Sequence, residues 1–321
     1  MFSFAIFPLI VYNKAHGDFM LMDYYKELLG EVPPFLEKYL LDPNLIRLKK
    51  VGYFCGMDYA SKDIYDFSEK ITRYDHSLTV ALLTYRLTHD KKATIAGLFH
   101  DIATPCFSHV IDYMNGDYST QESTEEYTDT ILREDSYLCK CLEEDDILLD
   151  EIDFKKYSIV DSPRPLMCAD RIDGVILTGI GWTKNITPMD IHNIVTDMDV
   201  FTNEYGNTEI GFHSYEVAER VVELSELIDE YCHSDEDNYM MSLLADITKY
   251  CIDRGYINYS DLYQLNEEEL FTIMKNNPDI KLKGLLYLFH NIRKEEIPCK
   301  VIEGIKVREL KPLIMDKRFV K

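Results

Sequence analysis

The chain is poor in basic side chains, and this shortage excludes several classes of protein. Its 321 residues include 34 lysines and arginines against 57 aspartates and glutamates, which gives a formal net charge of −23. Nucleic-acid-binding proteins need a basic face, and anionic membrane surfaces attract basic segments, so we expect neither partner. A small phosphate ester could bind such an acidic protein only through a locally positive pocket or a metal ion.

Disulfide and targeting patterns are missing as well. The eight cysteines form no CxxC pair, so neither a zinc knuckle nor a disulfide framework is indicated, and we expect reduced thiols in a cytoplasmic protein. The apolar start from Met1 to Val11 is too short to span a bilayer, and the basic region of a signal peptide is lacking.

Helical periodicity dominates what is present and predicts a mainly α fold. Apolar residues at helical spacing predict two long neighbouring helices over Ser77 to Leu87 and Lys92 to Ala103. Alternation around Gly206-Asn207 predicts a β-hairpin from Val200 to Phe212, and alternation after Arg293 predicts a small C-terminal β element. Further helices are predicted over Phe35 to Leu41, Phe107 to Met114, Ser119 to about Arg133, Leu166 to Leu177, Ser214 to Tyr231, Tyr239 to Arg254 and Leu265 to Met274.

Four residues stand out as candidate metal ligands. His76 precedes the first long helix, His100 and Asp101 end the second, and Asp170 lies in a later helix. A single buried histidine is more often a hydrogen-bonded core residue, but adjacent His and Asp at the end of a buried helix are costly unless they are paired or coordinating. Two imidazoles and two carboxylates suit one divalent ion, with Mn, Fe, Ni, Mg and Zn as candidates.

The motifs around these residues resemble those of the HD-domain metal-dependent phosphohydrolases. The segment from Arg73 to Leu78 is similar to Arg-x-x-His-Ser-Leu of the dNTP triphosphohydrolase branch, which includes the dGTPase-like and SAM-and-HD-domain proteins. His100-Asp101 followed by Asp112, and Asp170-Arg171-Ile172-Asp173, look like two further motifs of that branch. The resemblance, which runs from about residue 22 to 290, implies an HD-domain helical bundle with a core over 22–234 and a C-terminal helical extension over 235–321. Residues 1–21 precede it, and their apolar, aromatic start predicts an arm, either buried or paired as an edge strand.

The resemblance also implies roles for residues around the metal ligands. Arg73 and Arg171 match positions that contact substrate phosphates, although Arg73 could instead pair with Asp75 or Asp112. His109 matches a phosphate-contacting histidine with a catalytic role, and Asp112 a carboxylate that orients catalytic groups. Their i, i+3 spacing places both on one helical face. Tyr231 and His233 resemble a Tyr-x-His motif of the substrate pocket, and Tyr231 is a candidate for stacking on a base.

Two positions depart from the branch in residues that transfer protons. Its second histidine after the His-Asp pair is Thr104 here, and its later His-Glu pair is Gln121-Glu122. Glutamine cannot transfer a proton, so Gln121 is left as a substrate-binding candidate. Glu122, Glu125 or His109 could replace the missing proton donor; we favour Glu122, for which a helix-capping role is the alternative. Gly174 and Thr178 replace a tyrosine and an aspartate that contact the sugar, so preference for deoxyribose is not expected to follow the branch.

Two functions remain open at this point. The first is a metal-dependent hydrolase of a nucleotide, with a deoxynucleoside triphosphate as one candidate, or of a related small phosphate ester. The second is a nucleotide-binding regulatory protein that keeps the metal site and has lost turnover. The resemblance further implies a homo-oligomer, a dimer or larger.

Overall fold

The fold is mainly α, as the sequence predicts. A computed structural model describes residues 20–28, 33–119, 127–299, 302, 304–315 and 317–320. Residues 1–19 of the proposed arm and the segment with Gln121 and Glu122 lie outside the described residues. The helices are α1 (Met20–Leu28), α2 (Leu36–Tyr39), α3 (Pro43–Arg47), α4 (Arg73–Thr88), α5 (Lys91–Phe99), α6 (Val110–Asn115), α7 (Thr128–Glu134), α8 (Ser136–Glu144), α9 (Ala169–Thr178), α10 (Pro188–Asp197), α11 (Tyr215–Cys232), α12 (Asp235–Asp253), α13 (Asp261–Gln264), α14 (Glu267–Asn276) and α15 (Ile280–Asn291).

An antiparallel pair, α4 and α5, forms the centre of the fold. Helix α4 begins at Arg73 because Thr72 and Asp75 form a reciprocal capping box, and it ends at His89 in a left-handed conformation. Helix α5 ends at Phe99, four residues before the predicted end at Ala103. Pro105 disfavours a helical conformation at the residue before it, and the chain turns there. The first turn of α4 and the end of α5 therefore lie side by side.

Helix α9 packs across α4 and completes this arrangement. It begins at Ala169 after Cys168, whose backbone is extended, and it buries Ile172 and Ile176 in the core. One turn of π-helix, Gly179–Thr183, continues it. Asp170 in the first turn of α9 consequently faces the start of α4.

Two apolar clusters stabilise the molecule, and the second joins distant parts of the chain. In that cluster, Phe107 and Val110 from the region around α6 pack with Met240 and Leu244 of α12 and with side chains of α14 and α15. The predicted domain boundary at 234/235 falls between α11 and α12. Residues on both sides of it share this apolar cluster.

A small sheet confirms both β predictions. Strands β1 (Met198–Thr202) and β2 (Thr208–Phe212) form the predicted antiparallel hairpin, with Val200 opposite Ile210. The positive φ of Gly206, 81°, suits glycine in the connecting turn. Near the C-terminal end, β3 (Leu313–Ile314) pairs in parallel with β2, and β4 (Lys317–Arg318) pairs with β3. The last part of the chain therefore pairs with the hairpin, about 100 residues earlier in the sequence.

Two further expectations can be compared with the structure. All eight cysteines are free, so the expected absence of a disulfide framework is confirmed. Among the described helices, none combines the length and apolar character needed to cross a bilayer.

Candidate metal centre and substrate pocket

The four predicted metal ligands converge at the junction of α4, α5 and α9. Nε2 of His76 lies 3.0 Å from Oδ1 of Asp170 and 3.8 Å from Oδ2 of Asp101. Nε2 of His100 lies 3.6 Å from Oδ1 of Asp170 and 3.9 Å from Oδ1 of Asp101. The nitrogen and oxygen donors thus surround one small volume, although nearly a hundred residues separate the first ligand from the last.

Both histidines are oriented so that Nε2 faces this volume. Nδ1 of His76 donates to Asp173 across 2.7 Å, and Nδ1 of His100 donates to the Gly97 carbonyl across 2.7 Å. Asp173 is fully buried and also accepts from the Tyr24 hydroxyl at 2.6 Å. An Nδ1–H donor fixed in this way leaves Nε2 as the metal-binding nitrogen.

A buried polar atom without a partner indicates that the site is built for an ion. Nε2 of His100 is buried and forms no hydrogen bond with any described residue. Burying such an atom is unfavourable unless a ligand satisfies it. The set of two imidazoles and two carboxylates therefore fits a divalent metal ion, and His76, His100 and Asp101 form a group of donors within 4.8 Å of one another.

Electrostatics support the same conclusion. Burial opposes a charged His76, but hydrogen bonds with Asp170 and Asp173 outweigh it and raise the pKa of His76 to about 10. Burial also opposes ionisation of Asp101, but His100 and Arg73 outweigh it and hold the pKa of Asp101 below its usual value. The carboxylates around His76 thus favour a positive charge at Nε2, in the form of a proton or, by the same attraction, a metal ion.

A second possible donor group lies next to the first but is less suited to a metal. It consists of Asp161, Cys168 and Asp170. Burial raises the pKa of Cys168 to about 12, so its sulfur is a thiol near neutral pH. Because the thiolate is the metal-binding form of cysteine, we assign the ion to the histidine-containing group.

The metal centre opens into a large pocket whose lining is more basic than the protein. The cavity has a volume of about 1180 Å³. Its described lining contains six lysines and arginines against four aspartates, whereas the whole chain has an acidic excess. The cationic side chains are Arg73, Lys155, Arg164, Arg171, Lys306 and Arg308. A locally positive pocket in an acidic protein is therefore present.

Arg73 and Arg171 both line this pocket, and both hold neighbouring protein groups. Arg73 donates from Nη1 to Asp101 at 2.9 Å and from Nε to Ser108 at 3.2 Å. The alternative pairing of Arg73 with Asp75 or Asp112 is wrong, because those carboxylates cap α4 and bind His109, respectively. Arg171 donates to the carbonyls of Leu166 and Ser162 and so fixes the loop before α9. Contact of either arginine with substrate stays a prediction.

His109 and Asp112 form the expected pair on one side of α6. Nδ1 of His109 lies 2.8 Å from Oδ2 of Asp112, and Asp112 is fully buried. His109 itself lines the pocket with part of its ring exposed. Asp112 therefore orients the imidazole through Nδ1 and leaves Nε2 as the nitrogen that can serve a ligand.

The other predicted substrate residues are not brought into the pocket. Tyr231 is 38% exposed at the end of α11 and packs its ring against the edge of Trp182, which lines the pocket in its place. His233 follows α11, where its Nδ1 lies 2.7 Å from the Asp229 carbonyl. Cys232 between them does line the pocket. Gln121 and Glu122 lie outside the described residues.

Of the positions that depart from the family motifs, Thr104 lies outside the pocket, and Gly174 and Thr178 lie in its wall. Thr104 is buried, its carbonyl accepts from Arg47 at 2.7 Å, and it does not line the pocket. Gly174 and Thr178 do line it. A Cβ atom on Gly174 would lie 3.3 Å from the Tyr53 hydroxyl, so Tyr53 occupies the space into which a side chain at 174 would extend.

Several residues of the site were given no role from the sequence. Asp173 stands in a quoted motif and lies behind His76, outside the described pocket lining; its role could have been predicted, since it lies three residues after Asp170 and shares its helical face. Tyr53 contacts both the His76 ring and the Arg73 guanidinium, yet it lies in a region without a recognisable motif. Lys306 and Arg308 come from the C-terminal segment, far from every motif in sequence.

Comparison with known proteins agrees with this geometry. The HD domain family matches residues 73–174, a range that includes all four proposed metal ligands. The uncharacterized protein YdhJ of Bacillus subtilis is 25% identical over 262 residues, covering 78% of this chain and 77% of that protein. The metal-dependent phosphohydrolase cns2 of Cordyceps militaris is 22% identical over 274 residues, covering 80% of this chain and 73% of that protein. The family model matches the part of the chain that carries α4, α5 and the first turns of α9, so the candidate metal centre lies in an HD domain.

Proposed function

We propose that this protein hydrolyses a phosphate ester or anhydride bond in a nucleotide or a related small phosphate, using one divalent metal ion. The observation that carries this proposal is the buried Nε2 of His100, which forms no hydrogen bond with the described residues. It faces three further donor side chains at the end of a pocket with a basic lining. The name of the Cordyceps militaris relative supports the same type of reaction.

His76, His100, Asp101 and Asp170 would hold the ion. Once bound, a divalent ion at this position supplies a Lewis acid for a phosphoryl oxygen and makes water more acidic. Arg73 keeps Asp101 in place through its hydrogen bond and adds positive charge beside the reacting phosphate.

His109 is the described side chain best placed to move a proton. Asp112 holds Nδ1 of its imidazole, so a proton on Nε2 can be donated toward the leaving oxygen. Glu122, favoured from the sequence for the same step, stays proposed as the alternative proton donor.

Aromatic side chains in the pocket support a nucleotide as the substrate. Seven rings among the described residues line the same cavity as the candidate metal centre and provide flat apolar surfaces for a base. They belong to Tyr53, Phe54, Tyr65, Phe67, Tyr113, Phe154 and Trp182. The cavity of about 1180 Å³ is large for a small-molecule site, since such sites are typically about 300–1,000 Å³. A deoxynucleoside triphosphate is one candidate substrate.

The test combines metal analysis with a substrate panel. The purified protein is expected to contain close to one equivalent of divalent metal and to release phosphate, diphosphate or triphosphate from members of a nucleotide panel. Asp101→Ala should remove both metal and activity, whereas Asp246→Ala, an exposed aspartate on α12, should change neither. Full metal content without turnover of any phosphate ester, or full activity in Asp101→Ala, would contradict the proposal.

A regulatory protein without turnover is the alternative, and Thr104 favours it. The side chain at this position is buried away from the cavity and offers no proton donor to a substrate. The alternative predicts that nucleotides raise the melting temperature of the metal-loaded protein while no product forms. Homo-oligomerisation is likewise proposed from the family resemblance, and light scattering after size exclusion tests it.

A further inference from the structure

The connection between α5 and α6 has an unfavourable backbone conformation. Phe107 and Ser108 both have a positive φ, 67° and 45°, and we call these two residues the left-handed turn. That region of φ is unfavourable for a residue with a Cβ atom, above all for a bulky one, so surrounding contacts must hold the chain there. Ser108 accepts from Nε of Arg73 at 3.2 Å, and His109 follows directly. The contacts that hold the left-handed turn therefore also fix the backbone from which the His109 side chain extends.

These contacts come from the start of α14 and from the segment before it. The buried amide of Phe107 donates to Oε1 of Glu267 across 3.2 Å. The Phe107 ring packs edge to face against Phe271, one turn further along α14. The amide of Cys106 donates to the Leu262 carbonyl across 2.7 Å. A part of the chain about 160 residues further on thus keeps the left-handed turn in place.

The carboxyl group of Glu267 joins two segments that lead into the site. Glu267 is only 1% exposed, and its carboxyl group accepts from the amides of both Phe107 and Gly52. Gly52 precedes Tyr53, whose ring centroid lies 4.9 Å from the guanidinium carbon of Arg73. A buried amide without an acceptor is unfavourable, so the position of this carboxyl group determines where both segments lie.

The absence of a side chain at position 52 allows this close approach. A Cβ atom on Gly52 would lie 3.0 Å from Oε2 of Glu267 and 2.7 Å from Oδ2 of Asp58. Both distances are shorter than ordinary van der Waals contact, so a methyl group there would displace both carboxyl groups. Glycine at position 52 is therefore matched to the position of Glu267.

We propose that Glu267 is a positioning residue, which acts through the left-handed turn to place His109 in the pocket. Glu267 is not among the described residues that line the pocket, so it acts on the site only through its neighbours. Asp112 fixes the rotation of the imidazole, whereas the left-handed turn fixes the backbone that carries it. The inference rests on the proposed function for the role of His109 as proton donor. It gives α14, which lies outside the matched range 73–174, a task in the site.

The first test observes the His109 ring by NMR and needs no turnover. Isotope-labelled histidine side chains are recorded in the metal-free full chain, and the His109 signals are assigned by their loss in His109→Gln. Glu267→Ala should shift the His109 signals and add those of a second tautomer, because a displaced backbone no longer keeps Nδ1 against Asp112. The matched control is Glu269→Ala, which removes an exposed carboxylate that caps the same end of α14 and should leave the His109 signals unchanged.

Kinetics extend the test if the protein hydrolyses phosphate esters. Glu267→Ala should lower kcat about 10- to 100-fold with metal content unchanged, because small displacements of a reacting group are costly in rate. The double variant His109→Gln/Glu267→Ala should have the kcat of His109→Gln, since a residue that acts through His109 has no effect once the imidazole is absent. A loss of stability alone would instead lower kcat by the same factor in both backgrounds, and that result would overturn the positioning role.

Two milder variants decide the question if Glu267→Ala does not fold, and urea unfolding checks the fold of each. Glu267→Gln keeps an oxygen that can accept from the Phe107 amide and should retain His109 signals close to those of the wild type. Gly52→Ala displaces the carboxyl group without removing it and should shift the signals in the direction expected for Glu267→Ala, by a smaller amount. Unchanged His109 signals in Glu267→Ala, or in Gly52→Ala where Glu267→Ala does not fold, would overturn the inference. Shifted signals in a protein without hydrolase activity would refute only the proposed function.

Discussion

Replacing Asp173 with asparagine should weaken metal binding without removing any ligand of the metal. Asp173 is completely buried, and its carboxylate accepts from Nδ1 of His76 at 2.7 Å and from the Tyr24 hydroxyl at 2.6 Å. The amide oxygen of the asparagine could still accept from His76, and its NH₂ group could donate to a rotated Tyr24 hydroxyl. Geometry would then be kept while the negative charge behind the imidazole is lost.

The magnitude follows from that loss of charge. A carboxylate behind a metal-binding histidine raises the basicity of the imidazole, and its removal typically lowers metal affinity about 10- to 100-fold. This range corresponds to about 1.4–2.7 kcal/mol of binding free energy. Tyr24→Phe removes only one hydrogen bond to the carboxylate and should have a smaller effect. Asp173→Ala leaves two buried donors unsatisfied and should have a larger one.

The assay is a titration of the metal-free proteins with Mn²⁺ or Zn²⁺ in a chelator buffer, with metal content checked by mass spectrometry. Urea unfolding of the same metal-free samples separates lost affinity from lost folding. The order of affinities should be wild type, Tyr24→Phe, Asp173→Asn and Asp173→Ala, from tightest to weakest. An Asp173→Asn affinity within twofold of the wild type would refute the reasoning that Asp173 tunes the ligand through His76.

Three further predictions concern catalysis, pH and packing. His109→Gln should lower kcat about 10²- to 10⁴-fold with metal content unchanged, as expected for a lost proton donor, and equal kcat values in steady-state assays would exclude that role. Burial, aided by the charge of Asp58, raises the pKa of Glu267 from 4.5 to about 8. Between these two pH values the folded state keeps a proton on Glu267 that the unfolded state releases, so the free energy of unfolding falls as the pH rises from about 4.5 to 8. Because glutamine carries no such proton, Glu267→Gln should become more stable relative to the wild type by about 1.4 kcal/mol for each pH unit in this window. Urea unfolding at pH 5 and pH 8 measures the difference in unfolding free energy between the two proteins, and an equal difference at both pH values would contradict the argument. Gly181→Ala would force its Cβ atom into the Phe54 ring and should lower the free energy of unfolding by about 1–3 kcal/mol. Gly284→Ala places its Cβ atom in open space at an exposed position of α15 and should raise the free energy of unfolding by about 0.5–1 kcal/mol. A thermal melt in which both alanine variants behave alike would contradict the packing argument.

The convergence of the four proposed metal ligands could be predicted from the sequence because short motifs fix each of them locally. His76 and Asp170 each lie in the first turn of a helix, and His100 directly follows one, so residue type and helical position together indicated their roles. The hairpin was equally local, since Gly206-Asn207 encodes its turn. Its strand β1 begins two residues earlier than predicted because Met198 pairs with Phe212.

The pocket could not be predicted in the same way, because its walls come from contacts between distant segments. Arg308 is held on α11 by long-range bonds with Ser225 and Asp229, and periodicity carries no information about such contacts. That Tyr231 and His233 are absent from the described lining has a related reason, since a three-residue motif on a helix does not specify which of its side chains faces a cavity. Cys232 faces it instead. Contact of Tyr231 and His233 with substrate stays a prediction.

The return of the C-terminal segment has a consequence for the order of folding. Three of the four proposed metal ligands, His76, His100 and Asp101, lie at the adjoining ends of α4 and α5, two helices that a short turn after Thr88 connects. Asp170 and the C-terminal segment join them across much longer separations: His76 and Asp170 are 94 residues apart, and Ser225 and Arg308 are 83 residues apart. Loop closure of that length is entropically costly, so formation of such contacts is slow. The pair of α4 and α5 is therefore expected to form first, and the fourth proposed ligand and the C-terminal wall of the pocket are expected to join it afterwards.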